Sequence, residues 1–120
     1  MFIDRIIDYD EFSGEASLIV SDGTNELLCY CCLFDKKNGI IEITTFLCDN
    51  IIRIDFPTCN YKKQTSSYYS YVLQGKVIDI EQRIVSVGNI LIRLDSEIPK
   101  DINVGEYVSF NVMRLDCSIL

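Results

Sequence analysis

The stretch that decides the fold is R-I-V-S-V-G-N-I-L-I-R-L, residues 83–94, which has the pattern of a β-hairpin. Gly88 and Asn89 form its two-residue turn, because glycine in the first turn position accepts a positive φ without steric cost. The cross-strand pairs that this turn predicts are Val87 with Ile90, Val85 with Ile92, and Arg83 with Leu94. One long strand with a bulge at Gly88 is the alternative, and it restores the same apolar face.

The residues on both sides of this hairpin extend it into a sheet. Residues 71–80 alternate as a strand, and the mid-strand Gly75 indicates a bend or close packing. After a polar loop with Pro99, V-G-E-Y-V-S-F-N-V (residues 104–112) begins a last strand. The inward positions are Leu73, Gly75 and Val77 in the first of these strands and Val108, Phe110 and Val112 in the last. The tail after Asp116 carries no pattern.

The first half of the chain has one ambiguous segment and four predicted strands. Residues 1–12 fit either a helix or an edge strand, and strand is favoured because β-branched residues are frequent and no helix cap is present. Residues 15–21 alternate, whereas 26–34 form a nearly continuous apolar run that should lie centrally in the sheet or be covered on both sides. Residues 40–47 and 51–56 alternate again.

The predicted core follows from the inward positions of all these strands. Its members are Leu18, Val20, Leu27, Ile43, Ile54, Leu73, Val77, Val85, Ile92, Val108, Phe110 and Val112. For the strand before Pro57, the pattern predicts that Ile52, Ile54 and Phe56 are buried.

One segment resembles a known fold. In I-P-K-D-I-N-V-G-E-Y-V-S-F-N-V (98–112), an apolar residue, a short spacer and a glycine–acid pair precede an alternating strand, as in OB-fold and SH3-like barrels. The strand containing Gly75 is similar to the first strand of an OB-fold. The resemblance covers residues 70–115. It implies a fold but no catalytic residue. We expect one all-β domain over residues 1–120, an OB-like antiparallel β-barrel or sandwich with about seven to nine short strands and little helix.

Size and composition set the class of protein. The chain has 120 residues, enough for one core, and no apolar run long enough for a transmembrane helix. Its charged start does not have the pattern of a signal peptide. The six cysteines are therefore expected to be reduced and mostly buried, and the location to be cytoplasmic. No cofactor is expected.

The absence of histidine and tryptophan limits the possible chemistry. Without histidine, neither Ser-His-Asp nor Cys-His catalysis is possible, and histidine-bearing metal sites are excluded. Cys29, Cys31 and Cys32 lack the second C-x-x-C pair of a zinc site, so core packing explains them better. The six glycines are isolated and form no phosphate loop. We expect no metal and no enzymatic activity.

Two patches are candidates for partner binding. The first is an acidic end: residues 1–26 carry seven acids against one arginine, a net charge of −6, while the rest of the chain has a net charge of −1. Its predicted contact residues are Asp8, Asp10 and Glu11. The second is the unpatterned loop 57–70 with the residues that follow, whose predicted contacts are Tyr61, Lys62, Lys63, Tyr68, Tyr69 and Tyr71. That loop could instead only fold its rings over an open barrel end.

These patches lead to three hypotheses of function. The first is an acidic protein-interaction module that binds a basic partner, one version being an immunity- or antitoxin-type protein that neutralises a basic toxin enzyme. The second is a barrel that binds single-stranded nucleic acid by stacking, which the acidic charge disfavours. The third is a structural subunit of a larger assembly, for which an exposed apolar sheet edge would argue.

Overall fold

The computed structural model describes residues 1–32, 34, 39–57, 62–65 and 67–119, and these ranges contain eleven β-strands and no helix. The strands are β1 (Phe2–Tyr9), β2 (Ala16–Ser21), β3 (Glu26–Cys31), β4 (Ile41–Phe46), β5 (Asp49–Ile54), β6 (Lys62–Gln64), β7 (Tyr71–Asp79), β8 (Ile84–Val87), β9 (Ile90–Arg93), β10 (Tyr107–Val112) and β11 (Arg114–Ile119). The all-β prediction is confirmed, although the strands outnumber the seven to nine expected. The described part therefore holds no apolar helix of membrane-spanning length.

All eleven strands belong to one mixed sheet. Ten follow the order β1-β2-β3-β11-β4-β9-β8-β7-β10-β5, and β6 pairs with β7 beside this path. The expectation of a purely antiparallel sheet is wrong, because β11 pairs with β3 and β4 pairs with β9 in parallel. These pairings join strands that lie far apart in the chain, so no hairpin imposes an antiparallel direction on them.

The hairpin that decided the fold has the predicted register. Val85 pairs with Ile92 and Val87 with Ile90, with Gly88 at φ 60° in the turn between them. The Leu94 N–H donates to the Arg83 carbonyl at 2.8 Å, which extends the same register by one more pair. The bulged single strand is therefore excluded, and β8 and β9 form a two-residue hairpin.

Two pairs of consecutive strands are almost continuous. Only Leu47 and Cys48 separate β4 from β5, and only Met113 separates β10 from β11. Because β4 pairs with β11 and β5 with β10, residues 41–54 and 107–119 form one long antiparallel ribbon. The tail thus contributes a strand that its sequence did not indicate, and Leu115 and Cys117 of that strand are buried.

The core matches the predicted list except in β5. Eleven of the twelve predicted positions are buried, and Ile54 is half-buried. Ile52 and Phe56 are 60% and 72% exposed, so the prediction of a buried face on this strand is wrong. The reason is register: Ile52 lies opposite Ser109, whose side chain is on the outer face of β10.

The ambiguity of residues 1–12 has a structural cause. The segment is a strand, as favoured, but its pairing with β2 shifts between Ile3 and Arg5 and again between Ile6 and Asp8. Each bulge adds one residue, so positions on one face recur every three residues instead of every two. Ile3 and Tyr9 accordingly both pack against the core. A strand with this spacing imitates the period of a helix.

Asp22 ties two turns together. Its carboxylate accepts hydrogen bonds from the backbone N–H groups of Thr24 and Asn25 in its own turn, at 2.8 and 2.6 Å. It also accepts one from the N–H of Asn89, at 2.8 Å, in the turn between β8 and β9. A Cβ at Gly88 would lie 2.1 Å from the Asn25 side-chain amide, so this junction requires glycine there. The turn between β2 and β3 is thereby fixed to the β8–β9 hairpin.

Candidate functional site

The tyrosine-rich segment, of which the structure describes residues 62–65 and 67–71, contacts β2 and β3 through Lys62, Tyr69 and Tyr71. The Tyr71 hydroxyl accepts a hydrogen bond from the backbone N–H of Leu28 at 2.9 Å, and the Lys62 ammonium donates to the Glu26 carbonyl. Because β11 pairs with β3 only at Tyr30 and Cys31, these two side chains occupy the part of the β3 edge that β11 leaves open. β3 lies between β2 and β11, and Leu27, Leu28 and Cys29 on its two faces are buried, in agreement with the prediction of a strand that is central in the sheet or covered on both sides.

The segment and the acidic end together form a cleft of about 190 Å³. Asp8 of β1 lies opposite Ser17 of β2, and Ser17 lies opposite Tyr30 of β3, so the three side chains share one face of the sheet. Tyr69 closes the cleft from above and is hydrogen-bonded through its hydroxyl to the Ser17 hydroxyl. The lining residues are Asp8, Asp10, Glu15, Ala16, Ser17, Tyr30 and Tyr69; we call this the acidic cleft.

The aromatic wall of the acidic cleft is built from edge-to-face contacts. The ring centroids of Tyr68 and Tyr69 lie 4.8 Å apart, and those of Tyr69 and Tyr30 lie 6.1 Å apart, both nearly perpendicular. The Arg114 guanidinium lies 4.6 Å from the centroid of the Tyr30 ring. Tyr30 is thus held from two directions, which fixes the wall before any ligand arrives.

The electrostatics of the acidic cleft favour a cation. It contains three carboxylates, and none of the described residues that line it is a lysine or arginine. The Tyr30 hydroxyl donates to the Glu15 carboxylate, and this hydrogen bond raises the pKa of Tyr30 to about 12. Tyr30 therefore stays neutral near pH 7, and its ring already has a positive charge over one face, the Arg114 guanidinium.

The volume of the acidic cleft suits one long side chain. Pockets for drug-sized ligands are typically ~300–1,000 Å³. A lysine or arginine side chain inserted here would meet carboxylates at its charged end and tyrosine rings along its stem. The charge and the size of the acidic cleft are thus compatible with a cationic side chain.

A second, larger cleft lies on the other side of the tyrosine pair. It has a volume of about 460 Å³, and Tyr68, Tyr71 and Lys62 contribute to its wall. Ile7 and Ile19 make part of its surface apolar. The Tyr68–Tyr69 pair therefore separates an acidic cleft from a more apolar one.

The structure brings together only part of the predicted contact set. Asp8, Asp10 and Tyr69 line the acidic cleft, Lys62, Tyr68 and Tyr71 line the second cleft, Lys63 is exposed on β6, Glu11 is exposed in a turn, and Tyr61 lies outside the described residues. Tyr71 is buried, and burial raises its pKa, so it acts mainly as part of the scaffold. Burial likewise lowers the pKa of Lys62.

Four residues of the acidic cleft were not among the predicted contacts: Glu15, Ala16, Ser17 and Tyr30. Glu15 and Ser17 stand on the polar face of an alternating strand, which indicated only that they point away from the core. Tyr30 lies within an apolar run and carried no separate signal. Only the pairing of β1, β2 and β3 makes these residues neighbours of Asp8.

The cysteines belong mainly to the core. Cys29, Cys31, Cys48 and Cys117 are buried, as predicted, and Cys32 is exposed. Burial raises the pKa of the Cys117 thiol to about 12, so this group is neutral near pH 7. Across the described ranges, no group of three potential ligands has the arrangement of a metal site. Elemental analysis of protein purified without chelator would test the prediction that no zinc is bound.

The structure is thus an all-β fold with a cleft lined by carboxylates and tyrosines. Comparisons of the chain with models of known families, with curated proteins and with solved structures found no match. The function is therefore inferred from the cleft and from the charge distribution.

Proposed function

We propose that this protein is a cytoplasmic, non-enzymatic interaction module that binds a basic protein partner through the acidic cleft. The observation that supports it best is the convergence of two separately predicted patches: Asp8 and Asp10 of the acidic end line the same cleft as Tyr69. Neither patch alone would distinguish a binding site from an ordinary polar surface. Together they combine the charge and the aromatic area that protein recognition uses.

The physical basis is electrostatic attraction followed by local desolvation. The net charge of −6 on residues 1–26 steers a basic partner to this end of the molecule. A cationic side chain that enters the cleft then contacts the faces or edges of Tyr30 and Tyr69, where a cation–π contact is worth about 0.5–2 kcal/mol. Association should therefore be fast at low salt and slower at high salt.

An immunity- or antitoxin-type role is one specific version of this proposal. Such a protein must capture a basic enzyme quickly, and a concentrated acidic pole gives a high association rate. The nearly neutral remainder of the chain, with a net charge of −1, leaves a single pole for capture.

The OB-like barrel is also part of the proposal. Its support is a ring formed by five strand pairings. If β4 and β5 are counted as one bent strand, this strand pairs with β9 through its β4 part and with β10 through its β5 part. The circuit continues from β10 to β7, β8 and back to β9. Five strands in a partly open ring is the architecture of an OB-fold. The similarity of the strand containing Gly75 to the first strand of an OB-fold belongs to the same proposal.

Binding of single-stranded nucleic acid is the weaker alternative. Stacking needs rings with accessible faces, yet the Tyr69 hydroxyl is bonded to Ser17 and Tyr71 is buried. Tyr68, 56% exposed, is the most accessible described tyrosine of the segment. Phosphates would also meet the carboxylates of Asp8 and Asp10 in the adjacent cleft.

A structural subunit of a larger assembly is the second candidate, favoured by one observation. An exposed apolar sheet edge is present at β5, where Ile52 and Phe56 are largely exposed. This feature does not compete with the acidic cleft, because it lies on another strand.

Affinity capture tests the proposed function. The wild-type protein, an Asp8→Asn/Asp10→Asn variant and a Glu81→Gln/Glu97→Gln variant would each be immobilised and exposed to native lysate treated with nuclease. The two variants lose the same charge, but Glu81 and Glu97 are exposed residues that do not line the cleft. We expect the wild type and the Glu variant to retain the same basic protein and the Asp variant to lose it.

Two results would contradict the proposal. One is equal capture by both variants, which would mean that net charge or another surface is responsible. The other is a captured protein that is itself acidic, since its approach to Asp8 and Asp10 would be repulsive.

A further inference from the structure

The two ends of the sheet differ in how they are protected against pairing. β1, at one end, contains two bulges and two aspartates, Asp4 and Asp8, and both bulges and charges hinder the addition of another strand. β5, at the other end, has one register shift between Asp49 and Ile52 and then pairs without interruption from Ile52 to Ile54. Among the described residues its only strand partner is β10. A regular, apolar edge of this kind is a template for another strand.

The ladder shows which backbone groups of β5 are free to pair. Val77 of β7 exchanges hydrogen bonds with Glu106 and Gly105, so, by alternation, the backbone groups of Val108 point to β7. Those of Tyr107 and Ser109 then point to β5, where they meet Ile54 and Ile52. The N–H and C=O groups of Arg53 therefore point to the open edge.

We propose that β5 pairs with β5 of a second copy of this chain, antiparallel about a two-fold axis at Ile54. In this register Arg53 of each copy lies opposite Asp55 of the other, and Ile52 of each copy lies opposite Phe56 of the other. Because of the two-fold axis, each of these pairs occurs two times. Apolar side chains of both copies then form one stripe on the outer face, and opposite charges meet on the other face. The sequence I-R-I-D-F, residues 52–56, is complementary to itself in this register alone.

Other registers are unfavourable for identifiable reasons. Because the groups at the open edge must face each other, only registers centred on a residue are allowed. Centring the axis at Arg53 would place two arginines opposite each other, and centring it at Asp55 would place two aspartates opposite each other. Centring it at Ile51 or Ile52 would require regular pairing through the register shift between Asp49 and Ile52, where Asn50 has a φ of 53°. Charge and strand regularity together therefore select the Ile54-centred pairing.

The existing contacts of Arg53 are compatible with this pairing. Its guanidinium donates to the Asp101 carbonyl at 2.8 Å and lies 3.6 Å from the Glu106 carboxylate. A guanidinium has five N–H donors, so Arg53 can keep these contacts and also donate to Asp55 of the other copy. Asp55 and Phe56 form an exposed bend directly after β5, so the pairing requires this bend to straighten and lengthen the strand by two residues when the second copy binds. The paired surface shares no residue with the acidic cleft.

Sedimentation measurements over a range of concentrations test the association. We expect the wild type to show a monomer–dimer equilibrium. Asp55→Arg should raise the dimer dissociation constant at least about tenfold, because four arginines would then face one another in pairs. Arg53→Asp/Asp55→Arg restores opposite charges and should recover association to within about threefold of wild type. Glu97→Arg is the control, because it makes the same charge change at an exposed site. It should leave the dimer dissociation constant within about threefold of the wild-type value.

Cross-linking tests the register directly. The two-fold axis places residue 54 opposite itself in a non-hydrogen-bonded pair, with Cα atoms about 4.5 Å apart, within disulfide range. In a background with Cys32→Ser and Cys59→Ser, Ile54→Cys should form a covalent dimer under mild oxidation. Ile52→Cys should not, because residue 52 faces residue 56 of the other copy.

The outcomes decide the proposal clearly. Rescue by the double charge swap and selective cross-linking at position 54 would establish the pairing. A wild type that stays monomeric at the highest concentration reached would overturn it. Equal cross-linking at positions 52 and 54 would overturn the register, as would a double variant that is folded, by thermal denaturation, yet no more associated than Asp55→Arg.

Discussion

The Tyr71 hydroxyl accepts a hydrogen bond from the Leu28 backbone N–H at 2.9 Å, between residues 43 positions apart. This contact holds the tyrosine-rich segment on β3 and so positions Tyr69 over the acidic cleft. Tyr71 therefore supports the acidic cleft indirectly, by holding in place the segment that carries Tyr69.

Removal of this hydroxyl should destabilise the fold. Tyr71→Phe leaves the buried Leu28 N–H without its acceptor, so we expect a loss of about 1–3 kcal/mol in the free energy of unfolding, measured by urea denaturation. Tyr68→Phe, at an exposed ring, is the control and should change stability by less than about 0.5 kcal/mol. Equal effects of the two variants would show that the Tyr71 hydroxyl carries no such role.

Asp22 should make stability depend on pH. Partial burial by itself would raise the pKa of Asp22, but the hydrogen bonds from Asn25, Asn89 and Thr24 outweigh it and hold the pKa well below its ordinary value. A carboxyl with a lowered folded-state pKa stabilises the fold above its unfolded-state pKa, about 3.9, and loses this contribution as the pH falls further.

Asp22→Asn therefore should cost about 1.5–3 kcal/mol at pH 7, the range for hydrogen bonds to a charged group. The difference from wild type should shrink as the pH falls below about 4. Denaturant titrations at several pH values measure both quantities. A difference that is constant from pH 7 to the acid limit would contradict the role of the ionised carboxylate.

Phe110 tests the position of the core. It is 0% exposed, so Phe110→Ala should cost about 3–5 kcal/mol, the range for emptying a buried aromatic site. Phe12 is 103% exposed, and Phe12→Ala should change the free energy of unfolding by less than about 0.5 kcal/mol. A loss below about 1 kcal/mol for Phe110→Ala would place this residue outside the core.

The sequence predicts local pairing well because local chemistry determines it. The register of the β8–β9 hairpin follows from Gly88, whose positive φ fixes a two-residue turn. Alternation also established that Ile52, Ile54 and Phe56 share a face. It could not establish which face is inner, because that depends on β10, more than fifty residues later in the chain.

The acidic cleft was predictable only in part, for a similar reason. Asp8, Asp10 and Tyr69 were each chosen from charge or aromatic content, as members of separate patches. What joins them is the contact of Lys62 and Tyr71 with β3, a contact between distant segments that leaves no periodic pattern. The bulges of β1 have the same effect at short range, since they give a strand the spacing of a helix.

Single-stranded nucleic acid should not bind measurably. At physiological salt, a labelled DNA or RNA oligonucleotide should show no rise in fluorescence anisotropy up to protein concentrations on the order of tens of micromolar, because phosphate binding needs clustered bases. Lys62 already donates to a backbone carbonyl, which leaves Lys63 as the nearest free base in the described part of the segment. A salt-sensitive rise that Tyr68→Ala and Tyr69→Ala abolish would replace the protein-partner proposal with a stacking function.

The most direct measurement of the central claim is a titration of the ¹⁵N-labelled protein with N-acetyl-arginine methylamide, followed by NMR chemical shifts. N-acetyl-glutamine methylamide serves as the uncharged probe. We predict shifts that concentrate at the amides of Asp8, Asp10, Glu15, Tyr30 and Tyr69, with a dissociation constant on the order of 1–10 mM. Asp8→Asn/Asp10→Asn should abolish them, and Glu81→Gln/Glu97→Gln should not. Shifts that match those of the uncharged probe, or that spread evenly over acidic residues elsewhere, would contradict the account.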